Sequence, residues 1–248
     1  MPTLHLLGTG AALSDPHRTT TMLAFAEPGS TLVVDCGGDV VQRLLAAGID
    51  LATISALLLT HEHIDHVGGF PLFMERIWLA GRQAPIPVYG IKPALDQARR
   101  CFASFDTSRW EGLPDIEWHP FPETPNARVL DDDEWRVTAA PGSHSVPVVG
   151  LRVESKATGG VVAYSCDTEP SPVIAALAFE ADILVHEATG TYKGHSSPAQ
   201  AAAVAAQAKA RRLLLVHLPP GLTDDDLHEA RDTFAPTALG VELGAYAF

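Results

Sequence analysis

Six consecutive residues, His61-Glu62-His63-Ile64-Asp65-His66, constrain this chain more than any other stretch. Three imidazoles and the Asp65 carboxylate cannot be buried together without a cation unless several polar groups go short of partners. His61 and His63 stand two apart, which speaks against the i, i+4 geometry of a helical His-Glu-x-x-His zinc site. An apolar run, Ile54 to Leu59, precedes the cluster and reads as a buried strand closed by Thr60. Val67-Gly68-Gly69-Phe70 follows and suits a turn into the next element. The first expectation is therefore a metal site on the turn that leaves a buried strand of an α/β sheet.

The same arrangement recurs along the chain: a short apolar strand, then at its end a residue that can bind metal or move a proton. It occurs at Asp35, at His61 to His66, and at His144, Asp167, Glu187 and His217. Strands and helices alternate in both halves, which predicts a layered α/β architecture with one edge collecting these residues. Asp35 has two readings, as a carboxylate orienting a metal-binding histidine or as the N-cap of the helix that follows. His186 and Cys166 neighbour strand-end site residues, and alternation along a strand turns both away from the site. His5, His17, His119 and His228 have no such setting. Trp78, Phe102, Phe105 and Trp110 could wall a substrate pocket but singly read better as packing, and Arg82, Arg99, Arg100 and Arg109 fit anion contacts or a solvated face equally well. Asp224 to Asp226 read as the capped start of a helix.

Size and charge narrow the function. The 248 residues suit one domain spanning 1–248. A net charge of −13 opposes long-range attraction of RNA or DNA, whose affinity rests on neutralised phosphates. Met1-Pro2-Thr3-Leu4-His5 lacks the basic start of a signal peptide, and no apolar run reaches membrane-spanning length. Cys36, Cys101 and Cys166 form an odd set without zinc-knuckle spacing, so a reduced cytoplasm with no membrane contact is expected. Gly8-Thr9-Gly10 lacks the third glycine and the helix of a dinucleotide fingerprint.

Together these residues resemble the metallo-β-lactamase fold, whose signature is His61-x-His63-x-Asp65-His66. The resemblance covers essentially the whole chain. Within that superfamily it is most similar to the ribonuclease Z group, on Leu7-Gly8-Thr9-Gly10-Ala11, Val34-Asp35-Cys36-Gly37, His186-Glu187-Ala188-Thr189, Gly194-His195-Ser196-Ser197 and Leu215-Val216-His217. The resemblance implies a four-layer αββα sandwich with two divalent metal ions at one sheet edge, zinc by donor type and manganese where oxygen ligands are many. It implies His61, His63 and His144 on the first ion, Asp65, His66 and His217 on the second, and Asp167 bridging both. Catalysis would use a metal-bridging hydroxide, with Asp65 as base and His195, oriented by Glu187, protonating the leaving oxygen. By the same analogy a homodimer is expected.

Three departures weigh against folded tRNA as the substrate. Bacterial members of that group carry a long tRNA-gripping arm between the residues matching His144 and Asp167, whereas 22 residues separate the two here. The loop after the first glycine turn, Ser14 to Thr19, keeps only Arg18 where the group is basic. The acidic balance is the third. The expected activity is hydrolysis of a small or cyclic nucleotide or a similar phosphodiester. The alternatives are a ribonuclease Z-type endonuclease on RNA 3′ ends, a hydrolase of another ester or a lactone, and a non-enzymatic metal-binding sensor.

Overall fold

The computed structural model describes residues 1–248. In chain order the first half gives β1 (Thr3–Gly8), β2 (Met22–Glu27), β3 (Ser30–Val34), α1 (Val40–Ala46), β4 (Ile54–Leu59), α2 (Ile64–Val67), α3 (Phe70–Leu79), β5 (Ile86–Gly90), α4 (Lys92–Ala103) and β6 (Ile116–Pro120). The second half gives β7 (Ala127–Asp131), β8 (Trp135–Pro141), β9 (Val149–Ser155), β10 (Val161–Tyr164), α5 (Pro172–Leu177), β11 (Ile183–Glu187), α6 (Pro198–Ala208), β12 (Leu213–Val216), α7 (His228–Thr233), β13 (Thr237–Leu239) and β14 (Gly244–Ala247).

The strands form two seven-stranded sheets, ordered β14-β1-β2-β3-β4-β5-β6 and β13-β12-β11-β10-β9-β8-β7. Each sheet is antiparallel over one stretch and parallel over the other. β3 to β6 run parallel in the first sheet and β10 to β13 in the second. The inner parallel strands β3, β4, β10, β11 and β12 are buried on both faces, which explains their nearly continuous apolar sequences, whereas the edge strands β6 and β13 are only partly buried.

β12 shows how the layers stack. Leu214 and Val216 join the core shared with the first sheet and with α1, α3 and α4, while Leu213 and Leu215 join a separate core under α5, α6 and α7. The alternation follows from the two-residue period of a strand. Helix, sheet, sheet and helix therefore stack as the expected αββα sandwich. Trp135 ties the sheets together, its indole N–H donating to Ser30 Oγ at 3.0 Å across the interior.

The interval from Phe102 to Pro125, in which Pro, Gly and aromatic residues interleave, contains β6. Trp110 stacks on Trp78 with ring centroids 4.9 Å apart and meets Phe102 edge-on, so these aromatics fasten that loop by packing, as expected. Arg82 donates to the carbonyls of Ile54, Ala84 and Pro85 and serves the backbone. In the acidic run, Thr223 is the N-cap and Asp226 accepts its amide and hydroxyl, while Asp224 pairs with Arg231. No helix is long and apolar enough to cross a membrane.

Candidate metal centre and active site

The carboxyl ends of β3, β4, β10, β11 and β12 meet at one edge, and the loops beyond them carry the titratable residues. Seven of the side chains named from the sequence converge there. His61, His63, His144 and Asp167 form one group and Asp65, His66, Asp167 and His217 a second, each with one ligating atom per residue within 4.8 Å of the others. Asp167 belongs to both, as a bridging ligand must.

Hydrogen bonding decides which ring nitrogen each histidine offers. His66 Nδ1 donates to Asp35 Oδ2 at 2.8 Å, leaving Nε2 buried and without a partner. His61 Nδ1 faces the Thr60 hydroxyl at 3.2 Å, and its Nε2 is likewise orphaned. His144 Nδ1 donates to the Gly194 carbonyl at 2.7 Å, which turns the Nε2 lone pair toward His63 Nδ1, 3.1 Å away. His217 Nδ1 donates to Thr189 Oγ1 at 2.6 Å, and its Nε2 lies 3.3 Å from both Asp65 and Asp167. Four tautomers are thus fixed from behind with lone pairs pointing inward, the arrangement a metal-binding histidine requires. Orphaned Nε2 atoms on His61 and His66, and an orphaned Oδ1 on Asp167, are groups that burial would penalise without a cation between them. The donor set fits two divalent ions.

Electrostatics agree. Burial pushes the Asp65 carboxyl up, but the adjacent His217 and His66 imidazoles hold it well below the usual carboxylate range. Burial likewise opposes ionisation of Asp167, and the charges of His217 and His66 reverse it. Burial and the neighbouring His66 keep His61 neutral, and burial with His144 does the same for His63. Burial pulls His66 down, yet Asp167 and Asp35 outweigh it and lift the imidazole well above its ordinary value. The acids are charged and ask for positive charge, which a metal would supply in place of that proton.

Asp35 resolves in favour of the orienting role. Its Oδ1 accepts from the Thr60 amide at 2.9 Å and its Oδ2 from His66, whereas α1 is capped by Asp39. Cys166 departs from expectation: it does not face away. Its Sγ sits 3.0 Å from Thr60 Oγ1 and 3.4 Å from His61 Nδ1, beneath the cluster. The reason is backbone conformation. Asp35, Cys166 and His217 follow β3, β10 and β12 with φ of 59°, 54° and 53°, and a left-handed residue breaks strand alternation. Each such residue costs about 1 kcal/mol or more, a strain that collects at functional sites. His186 does point away, its Nδ1 donating to the Glu187 carbonyl at 2.8 Å.

Glu187 is fully buried inside β11. It faces His195 Nδ1 at 3.2 Å and also accepts the amides of Thr168, Ser196 and Thr189. That hydrogen bond raises the His195 imidazole above its ordinary value against the opposing effect of burial. Four donors on one carboxylate make Glu187 the anchor of the 188–196 loop as well as the partner of His195. Three of these donors fall on Oε1 and the Thr189 amide takes Oε2. His195 lines a cavity of about 290 Å³ with His63, Asp65, Asp167, His217, Thr189, Ala11, Ala12, Leu13 and Tyr192. A second cavity of about 550 Å³ adjoins it across His63, bordered by Glu62, Gln97 and Arg100.

Comparison with known families decides the affiliation. The model of the beta-lactamase superfamily domain matches residues 30–218, about three quarters of the chain. The chain belongs to the metallo-β-lactamase superfamily. A ribonuclease Z of Mycolicibacterium paratuberculosis is 32% identical over 268 residues, covering 96% of this chain and 94% of the relative. One from Methanothermobacter thermautotrophicus is 29% identical, covering 96% and 94%. That alignment runs over 293 residues against a chain of 248, so the relative contains segments absent here. The short form of human tRNase Z superposes with a TM-score of 0.80 at 25% identity, covering 99% of this chain and 98% of that one. The protein is a metal-dependent hydrolase with a metallo-β-lactamase fold and ribonuclease Z homologues.

Thr60, Thr189 and Gly194 complete the site but were not singled out in the sequence. Thr189 and Gly194 lie inside the two stretches that carry the ribonuclease Z resemblance, which was the signal available.

Proposed function

We propose that this hydrolase cleaves small phosphodiesters, with small or cyclic nucleotides as its leading substrate class, using two divalent ions, zinc by donor chemistry and manganese as the alternative. The observation that carries the reading is the cavity around His195: about 290 Å³, with no Lys or Arg among its lining residues. A folded polyanion needs several cationic contacts to its backbone, whereas one diester needs only the electrophilic centre. The short β9–β10 hairpin, closed by a tight turn at Lys156 to Gly160, supports the same reading, because it fills the interval in which an arm would be inserted.

In this mechanism His61, His63 and His144 would hold one ion and Asp65, His66 and His217 the other, with Asp167 shared between the two groups. When bound, the ion pair supplies Lewis acidity and a nucleophile at neutral pH. Asp65 takes the proton of the attacking water. His195 delivers a proton to the departing oxygen, and Glu187 fixes the donating tautomer and steadies the imidazolium before transfer. Positioned proton transfer of this kind contributes roughly 10²–10⁴-fold to rate. A sensor that only bound metal would not need the Glu187–His195 pair.

A second reading is cleavage of short single-stranded RNA 3′ ends, favoured by relatives named ribonuclease Z at 29% and 32% identity. Hydrolysis of carboxylic or sulfate esters or of lactones is a third. The test is a side-by-side panel of cyclic nucleotides, dinucleotides, aryl diesters, the matching monoester and carboxylic ester, and precursor tRNA, with zinc and with manganese. The diesters should turn over fastest. Faster cleavage of the carboxylic ester would overturn the phosphodiesterase reading, and efficient trimming of precursor tRNA would overturn the preference for small substrates.

A further inference from the structure

Two large apolar side chains stand exposed at the mouth of the His195 cavity: Tyr192 at 68% and Leu13 at 60% of full exposure. They come from different loops, one following β11 and the other following β1. Around them the cavity is otherwise histidines, aspartates, a threonine and two alanines. Neither belongs to the hydrophobic cores.

The backbone holds the tyrosine in this place. Gly190 has φ +136°, and a Cβ on it would lie 2.9 Å from the Tyr192 ring, so the ring is laid back over the bare glycine. The loop is closed by Gly190 N–H donating to the Ser196 carbonyl and by His195 N–H donating to the Tyr192 carbonyl. Gly194, with φ +85°, is packed against His144 Nδ1. Tyr192 is thus tied to the residue three positions on, His195, that faces the departing oxygen.

We infer that Tyr192, with Leu13 lining the same cavity, is a specificity-determining residue that stacks on a planar ring carried by the leaving group, a nucleobase or an aryl ring. The assignment rests on the phosphodiesterase reading above. It follows from position: the group that receives the His195 proton is the one lodged in the His195 cavity, and there the only aromatic ring apart from the imidazoles of the centre and of His195 is Tyr192. The other substituent of the diester lies on the far side of His63, in the cavity bordered by Arg100 and Gln97. Ring-on-ring stacking is tolerant of base identity, so the preference is for planarity and not for one nucleobase.

Equilibrium binding tests this directly. Adenosine monophosphate and ribose phosphate are titrated calorimetrically into the zinc-loaded protein and its Tyr192→Ala, Tyr192→Phe and Leu13→Ala variants, and cleavage of a methyl aryl phosphodiester is followed in parallel. Adenosine monophosphate should bind the parent about tenfold tighter than ribose phosphate, a ratio typical of one stacked base. The ratio should persist in Tyr192→Phe, collapse toward one in Tyr192→Ala and fall in Leu13→Ala, while KM for the aryl diester rises in Tyr192→Ala with kcat little changed. An unchanged ratio in Tyr192→Ala, or equal loss of both ligands, would overturn stacking while diester cleavage by the parent keeps the phosphodiesterase reading intact. Absence of diester cleavage and of phosphate binding by the parent would overturn both.

Discussion

Asp35 and His66 are joined by a buried 2.8 Å hydrogen bond between a carboxylate at the end of β3 and an imidazole in α2. The same carboxylate accepts both the amide and the hydroxyl of Thr60, immediately before His61. One side chain therefore aligns residues assigned to both metal positions.

Asp35→Asn should weaken metal retention roughly 10–100-fold, the usual effect of losing a partner behind a ligand. Competition with a chromophoric chelator measures it. Retention equal to the parent's would show that His66 is oriented by something else.

Removing His195 tests its proposed role as proton donor. His195→Ala should slow diesters with poor leaving groups by about 10²–10⁴-fold and barely affect a nitrophenolate ester, which departs without protonation. A Brønsted plot of rate against leaving-group pKa should steepen in the variant. Equal losses across the series would rule out the acid role.

Glu187→Gln puts an amide N–H₂ against backbone donors in either orientation, Thr168 and Ser196 N–H at Oε1 or Thr189 N–H at Oε2. The expected cost is about 1–3 kcal/mol of stability, because a buried donor then meets donors. Urea unfolding reads it, and a variant as stable as the parent would show that the carboxylate is not anchoring the loop.

Much of this centre was legible because its candidate ligands are local in sequence or end apolar strands. Spacing alone exposed His61 to His66, and the strand-then-ligand pattern exposed His144, Asp167 and His217. What escaped depends on geometry that no residue pattern records. Cys166 was assigned to the wrong face because alternation presumes extended backbone, and a φ of 54° reverses it. Asp35 had two roles of equal standing until its partners across the sheet were known. The anchoring role of Glu187 uses amides of Thr168, Thr189 and Ser196, and amides are invisible to composition. β6, β13 and β14 were missed because they are short and only partly buried, so no periodic signal marks them.

Gly194→Ala should damage the first metal position specifically. A Cβ there would lie 2.7 Å from His144 Nδ1, on a left-handed residue whose carbonyl holds that ring. The expected result is purification with about half of the parent's metal, counted by elemental analysis. Full occupancy would mean that His144 is placed without help from the loop.

Thiol accessibility gives a check free of the chemistry. Cys36 and Cys166 are buried and burial pushes both thiols well up, whereas Cys101 is partly exposed. An aromatic disulfide reagent should modify one thiol per folded chain and three after unfolding. Rapid modification of a second thiol in the folded protein would show that the floor of the centre opens.

The seven residues of the centre divide between the halves of the molecule: four lie on the segment after β4, and three follow β8, β10 and β12. The sheets bring these ends together but few covalent links hold them there. Loading with metal would rivet one half of the chain to the other, so supply of the ion governs endurance as well as catalysis. A cell starved of that ion would hold a looser molecule, easier to unfold and quicker to be degraded, and the pool of protein would track the pool of metal.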